Sequence, residues 1–242
     1  MRAIDLNCDL GEGAGHDAEL MPLISSANIA CGAHAGDVTT MRATVALAQQ
    51  HGVTIGAHPG FADRENFGRR EMNLSPGELT KLVTDQIAQL AELAHVRHVK
   101  PHGALYNLAA RDAGVAKTIA SAVRSFDSSL VLCGLAGSEL VRAGRAGGLR
   151  VAEEVFADRT YQRDGSLTPR SRLDAMIEDV DTAVRQVLRM VSEGIVLAMD
   201  GTEVSIVADT ICLHGDGPHA VEFARRLNAE LRKAGIEIKG LM

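Results

Sequence analysis

Four of the nine histidines stand at comparable places: His34, His58, His102 and His214 each follow a short run of aliphatic residues. The same junctions carry further reactive groups. Asn7, Asp9 and Glu12 follow the first run, Asp37 comes after His34, and Asp63 comes after His58. Lys100 precedes His102, Glu154, Asp158 and Arg159 belong to a sixth junction, and Asp216 follows His214. Imidazoles and carboxylates that converge can do two kinds of chemistry. As general acid and base around a carbonyl they move protons, while Lys100 or backbone donors stabilise the oxyanion. As ligands, His34, His58 and Asp9 suit a divalent ion such as zinc or manganese. The compact His-Glu-x-x-His pair that would favour the second chemistry is absent.

Several of these residues also have a purely structural reading. Asp37 and Asp216 immediately precede helical segments and suit N-caps. Asp5 alternates with apolar neighbours, as a buried structural carboxylate would. His51 precedes Gly52 at a helix end, where a cation suits the dipole. His95 and His98 flank a loop and read as surface residues, and His219 falls in the first turn of the last helix. Cys31-Gly32-Ala33-His34 sets a thiol near an imidazole in sequence, yet Cys31 reads as buried strand. Two arginine-bearing loops, Asn66-Phe67-Gly68-Arg69-Arg70 and Thr168-Pro169-Arg170, can hold a carboxylate or phosphate, or can be plainly solvated. No Gly-x-x-x-x-Gly-Lys loop exists, and Gly11-Glu12-Gly13-Ala14-Gly15 lacks dinucleotide-binding spacing.

The elements that position these groups alternate along the chain. β-type runs are predicted over 3–8, 27–31, 53–57, 96–100, 130–133, 150–156 and 210–213. A further pair, 195–199 and 203–207, brackets Asp200-Gly201, a strong hairpin signal, and is expected to decorate the fold. Ser75-Pro76-Gly77-Glu78 is a capping box with proline at the first helical position. Leu79, Leu82, Val83, Ile87 and Leu90 then follow the spacing of one buried helix face. The same spacing links Leu173, Met176, Ile177, Val180, Val184, Val187 and Val191 into a second long helix. A last helix is expected to open at Asp216-Gly217-Pro218 and to bury Ala220, Phe223, Ala224, Leu227 and Leu231. Shorter helices are predicted over 39–50, 113–123 and 138–143.

Seven apolar strands separated by helices imply a parallel sheet with helices outside it, an α/β fold. Periodicity alone does not separate a closed barrel from an open sheet. The recurrence of charged and imidazole residues at six of the seven strand ends favours closure, because a barrel brings those ends around one mouth. Composition narrows the function. With 31 acidic and 25 basic side chains, the net charge of -6 argues against a nucleic-acid binder. Aromatics are only 3% of the chain, too few for a base-stacking platform. No apolar run approaches the roughly 20 residues of a membrane helix. Four dispersed cysteines beside apolar runs suit a reducing compartment. The expectation is one cytoplasmic domain spanning 1–242.

Longer blocks carry a resemblance. Asp5-Leu6-Asn7-Cys8-Asp9-Leu10-Gly11-Glu12 and Ser26-Ala27-Asn28-Ile29-Ala30-Cys31-Gly32-Ala33-His34-Ala35-Gly36-Asp37 resemble the bacterial lactam-utilisation family. So do Gly56-Ala57-His58-Pro59-Gly60, Phe67-Gly68-Arg69-Arg70 and Lys100-Pro101-His102-Gly103-Ala104-Leu105-Tyr106-Asn107. Phe156-Ala157-Asp158-Arg159, Leu167-Thr168-Pro169-Arg170 and Cys212-Leu213-His214-Gly215-Asp216 complete a match that runs nearly the whole chain in family order. Cys8 departs from the small residue usual there, and Gly13–Asp17 departs from the commoner Glu-Ser-Phe-Gly wording, which touches a rim loop.

The resemblance implies a seven-stranded β/α barrel related to glycoside hydrolases and deacetylases, hence TIM-barrel-related. It implies ATP-dependent opening of 5-oxo-L-proline to L-glutamate, with magnesium accompanying ATP and with 5-oxoprolinase subunits B and C as partners. On that footing Asp9, His58 and His214 activate water and move protons, Lys100 and His102 polarise the carbonyl, and His34 joins the catalytic group. Arg69 or Arg70 holds a carboxylate or phosphate, with Asn7, Glu12, Asp37, Glu154, Arg170 and Asp216 as further substrate contacts. A barrel metal stays open. So do two rival functions, a stand-alone metal-dependent deacetylase and a non-catalytic lactam-binding scaffold.

Overall fold

The computed structural model describes residues 2–214 and 220–241. The chain begins with β1 (Ala3–Leu10), the single turn α1 (Asp17–Leu20), β2 (Ser26–Ala30), α2 (Val38–His51) and β3 (Thr54–His58). It continues through α3 (Pro76–Ala91), β4 (His98–Val99), α4 (Gly103–Arg111), α5 (Ala113–Phe126), β5 (Val131–Leu135), α6 (Glu139–Ala146) and β6 (Arg150–Phe156). It ends with α7 (Val180–Glu193), β7 (Ile195–Leu197), β8 (Glu203–Ser205), β9 (Thr210–Leu213), α8 (Ala220–Lys233) and β10 (Glu237–Ile238).

Seven parallel strands close into a barrel in the order β1-β2-β3-β4-β5-β6-β9, and β9 returns to β1 over Asp5↔Thr210 to Cys8↔Leu213. β10 pairs with the first residues of β1, below β9. The antiparallel β7–β8 hairpin stands apart from the barrel, as its turn signal predicts.

The two faces of β1 explain how the barrel is filled. Successive side chains of a strand point to opposite faces. Ile4, Leu6, Cys8 and Leu10 join the apolar core shared with the helices, while Asp5, Asn7 and Asp9 enter a polar network inside the barrel. The strands are therefore not apolar on both faces, as their composition suggests. Asn28 donates to Asn7 Oδ1 at 2.7 Å and to Asp9 Oδ1 at 2.9 Å, and Asn7 donates to Glu154 Oε1 at 3.0 Å. Hydrogen-bonding replaces aliphatic packing along this axis, which satisfies groups that would be costly to bury alone.

His98 belongs to that interior and not to the surface, contrary to its reading in sequence. It is fully buried and donates from Nε2 to Asn28 Oδ1 at 2.8 Å. Gly56 on β3 makes room for it: a Cβ there would lie 2.0 Å from His98 Nε2. Burial, and then the Lys100 charge, push the His98 pKa down to about 3, so it sits neutral.

The capping box at Ser75 forms with Pro76 opening α3, and Leu79, Val83, Ile87 and Leu90 are buried as expected. The helix containing Val184, Val187 and Val191 is shorter than its periodicity suggests. It starts at Val180, where Asp179 caps Thr182 N, and Leu173 and Met176 are exposed. The segment before it instead folds back against the end of β6. Ile177 N donates to Asp158 O at 2.8 Å and Thr160 N to Ala175 O at 3.1 Å. The expected opening of the last helix at Asp216-Gly217-Pro218 lies outside the described residues, but α8 buries the apolar face foreseen for it. No helix among the described residues is long and apolar enough to cross a membrane.

Candidate active site

The carboxyl ends of the barrel strands surround a cavity of ≈ 630 Å³. Asp9, Glu12, His58, Arg69, Lys100, His102, Arg170 and His214 line it. Eight of the residues singled out in sequence thus meet at one mouth, from four strand ends and two loops. His34 sits just behind, its ring stacked on His102 with centroids 3.7 Å apart. Asn7 and Glu154 lie beneath and act through Lys100 rather than lining the cavity. Two others fall elsewhere. Asp37 is the exposed N-cap of α2, and Arg70 is exposed away from the cavity lining. Asp216 lies outside the described residues.

Lys100 is the centre of the floor. Its buried Nζ lies 2.8 Å from Asp9 Oδ1, 3.0 Å from Glu154 Oε1 and 3.1 Å from Cys212 Sγ. Burial opposes the ammonium charge, but Asp9 leads a set of neighbours that hold the lysine protonated, well above its ordinary pKa. Burial likewise opposes ionisation of Asp9, and His58 and Lys100 outweigh it, holding the carboxyl well below its usual range. The result is a fixed cation and a fixed anion side by side.

Around the mouth, a carbonyl acceptor sets each of two histidine tautomers, because a carbonyl can only accept. His58 Nδ1 donates to Lys100 O at 2.7 Å, and His102 Nε2 donates to Phe67 O at 2.8 Å. Their other nitrogens face one another at 3.0 Å. Glu12 Oε1 lies 3.1 Å from His34 Nε2 and 3.3 Å from His102 Nδ1, and Asp9 Oδ2 lies 3.3 Å from His58 Nε2.

Backbone geometry brings these groups close. Gly36, Gly68 and Gly103 have positive φ, and Gly68 packs directly beneath His34, where a Cβ would meet the imidazole Cβ at 2.7 Å. The Gly68-Arg69 turn thereby presses Phe67 O against His102 while aiming Arg69 at the cavity.

Asp158, at the end of β6, pairs with His214: His214 Nδ1 lies 2.7 Å from Asp158 Oδ2. Arg170 Nη2 donates to His214 Nε2 at 2.7 Å. A guanidinium has no acceptor, so Nε2 carries a lone pair and Nδ1–H points at the carboxylate. Asp158 stood among the strand-end residues, but its partnership with His214 was not legible, since the two lie 56 positions apart. Tyr106 and Arg159 also line the cavity. Tyr106 stood inside the Lys100–Asn107 block, and Arg159 beside Asp158; neither was singled out for the site.

Two clusters among the described residues hold enough donors for a metal ion, Glu12 with His34, His58 and His102, and Asp9 with Cys212 and His214. The Lys100 ammonium already supplies the cation to Asp9 and Cys212 in the second. Cys31 does not serve as a nucleophile here: it is buried, and burial pushes its thiol up to about 12.

Known proteins resemble the chain over its whole length. The 5-oxoprolinase A subunit of Geobacillus thermodenitrificans is 56% identical over 250 residues, covering 100% of this chain and 98% of its own length. The crystal structure of a lactam utilization protein from Thermus thermophilus superposes with a TM-score of 0.92 at 48% identity, covering 98% of this chain and 99% of that one. A T48 deacetylase shares the fold at a TM-score of 0.53 and 13% identity, covering 99% and 88%. The LamB/YcsF family profile matches residues 4–242, and with the barrel, the strand-end histidines and this full-length similarity in place, the chain belongs to the LamB/YcsF family.

Proposed function

We propose that this chain is the A component of an ATP-dependent 5-oxoprolinase, and that its barrel mouth is where the lactam ring opens. The observation that carries the reading is a single cavity holding an oriented base, His214 with Asp158, together with a fixed ammonium, Lys100. An unstrained five-membered lactam is a poor electrophile. Phosphorylation of its oxygen by ATP makes C5 reactive; a first water adds there, the ring C–N bond breaks and the nitrogen takes a proton, and a second water releases phosphate.

His214 Nε2 accepts the proton of the attacking water once Arg170 turns from it to the substrate's carboxylate or phosphate. Asp158 keeps Nδ1–H in place and stabilises the imidazolium that forms. Lys100 faces the negative charge that develops on oxygen, and Arg69 supplies a second anion contact. The absence of a Gly-x-x-x-x-Gly-Lys loop favours phosphoryl transfer, with its magnesium, on partner subunits B and C. Four buried free cysteines fit a cytoplasmic setting.

Glutamate release from 5-oxo-L-proline and ATP, measured for the chain alone, for B with C and for all three, tests this. Turnover only with all three supports it. Full activity of B with C alone would leave this chain a scaffold, and ATP-independent release of acetate from acetylated sugars would make it a deacetylase.

A further inference from the structure

The histidine group at the rim poses a problem of its own. His58 Nδ1 and His102 Nε2 both donate to backbone carbonyls, at 2.7 and 2.8 Å. In their neutral forms the two rings turn bare lone pairs toward each other at 3.0 Å. Glu12 Oε1 adds a third lone-pair atom, 3.3 Å from His102 Nδ1 and 3.8 Å from His58 Nε2. His34 Nε2 lies 3.1 Å from the same oxygen, and His34 Nδ1 is buried without a hydrogen-bond partner. Converging acceptors of this kind repel unless a positive centre sits among them.

We propose that Glu12, His58 and His102 form a binding site for one divalent first-row transition ion of the zinc class, with His34 stacked on His102 and bonded to Glu12 behind them. Two imidazoles and a carboxylate match such ions better than magnesium or calcium, which favour all-oxygen sets. Ligands about 2.1 Å from a common metal are separated from each other by roughly 3.0–3.4 Å, depending on geometry. The His58–His102 and His102–Glu12 separations, 3.0 and 3.3 Å, fall in that range, and His58–Glu12 at 3.8 Å lies just beyond it. The carbonyls of Lys100 and Phe67 are the outer partners that fix ligand tautomers in metal sites. The alternative positive centre is one proton shared between His58 and His102. This inference rests on the cluster and not on the lactam reading, and its test reads metal, not turnover.

The chain is stripped with a chelator, desalted, and titrated with zinc and with cobalt(II), with bound metal measured by plasma mass spectrometry. Wild type retaining one equivalent through desalting, with a cobalt ligand-field band, is the expected result. His102→Ala and Glu12→Gln should each weaken retention at least tenfold while circular dichroism stays native; Glu12→Gln, at the partly exposed rim, keeps the test open should the histidine variant not fold. Wild type that binds no more zinc, cobalt, manganese or nickel than these variants overturns the metal and leaves the shared proton.

Discussion

His214 takes its tautomer from two neighbours that oppose each other. Asp158 accepts from Nδ1, and Arg170 blocks Nε2. Asp158 is thus a positioning residue, and Asp158→Asn removes the charge that stabilises the imidazolium while keeping the shape. The variant should lower kcat by roughly 10²–10⁴ with KM within a few-fold, and should alter the pH profile of kcat. A merely structural role would lower the melting temperature and leave the profile in place. At this scale the sequence was informative where a rule about position applied. Reading the residues after each strand found Asp9, His58, Lys100, His102 and His214 at the mouth. Pairing was not readable, because partners such as Asp158 and His214, or His98 and Asn28, meet only when the barrel closes.

Elements were legible in proportion to their own local signals. α3 begins where its capping box says, and β6 spans 150–156 as predicted. The segment 173–179 carries helical spacing but is claimed by backbone pairing with 158–160, a tertiary contact that overrides a weak pattern. α4 follows His102 without a distinctive cap and went unread. β3 supplies the sharpest test at this scale. Gly56 leaves the space that His98 fills, so Gly56→Ala drives a methyl to 2.0 Å from a fully buried ring. Overpacking of this kind costs roughly 1–3 kcal/mol, which should appear as a fall of several degrees in melting temperature. An unchanged midpoint would mean that His98 does not occupy the barrel interior.

Across the whole molecule, the aliphatic residues form a core between sheet and helices, and the barrel axis is polar from Asp5 up to Glu12. Composition hid this division, although the alternation around Asp5 in β1 is visible in the sequence. Among the described residues, the barrel and its helices share one principal core. The polar axis has a consequence for stability. Asp5 is buried among Ser25, Ser26 and Thr210, and burial, against those hydroxyls, raises its pKa from 3.8 to about 6. A carboxyl raised in the folded state favours folding below its unfolded pKa, and that contribution is lost as pH rises through about 6. Ionised Asp5 then costs on the order of 3 kcal/mol at pH 7. Asp5→Asn should gain stability relative to wild type between about pH 4 and pH 7 by roughly that amount in urea unfolding. A difference independent of pH would contradict the buried, raised carboxyl.

The central claim is that the barrel mouth of this chain carries part of the lactam-opening chemistry, and His58 sits where Asp9, Lys100 and His102 meet. The most direct measurement is ATP-coupled glutamate release by the complex of this chain with subunits B and C, with His58→Ala in place of wild type. The account predicts that turnover is abolished while the variant keeps a native circular dichroism spectrum and still joins the complex. Wild-type turnover by that assembled variant would contradict it.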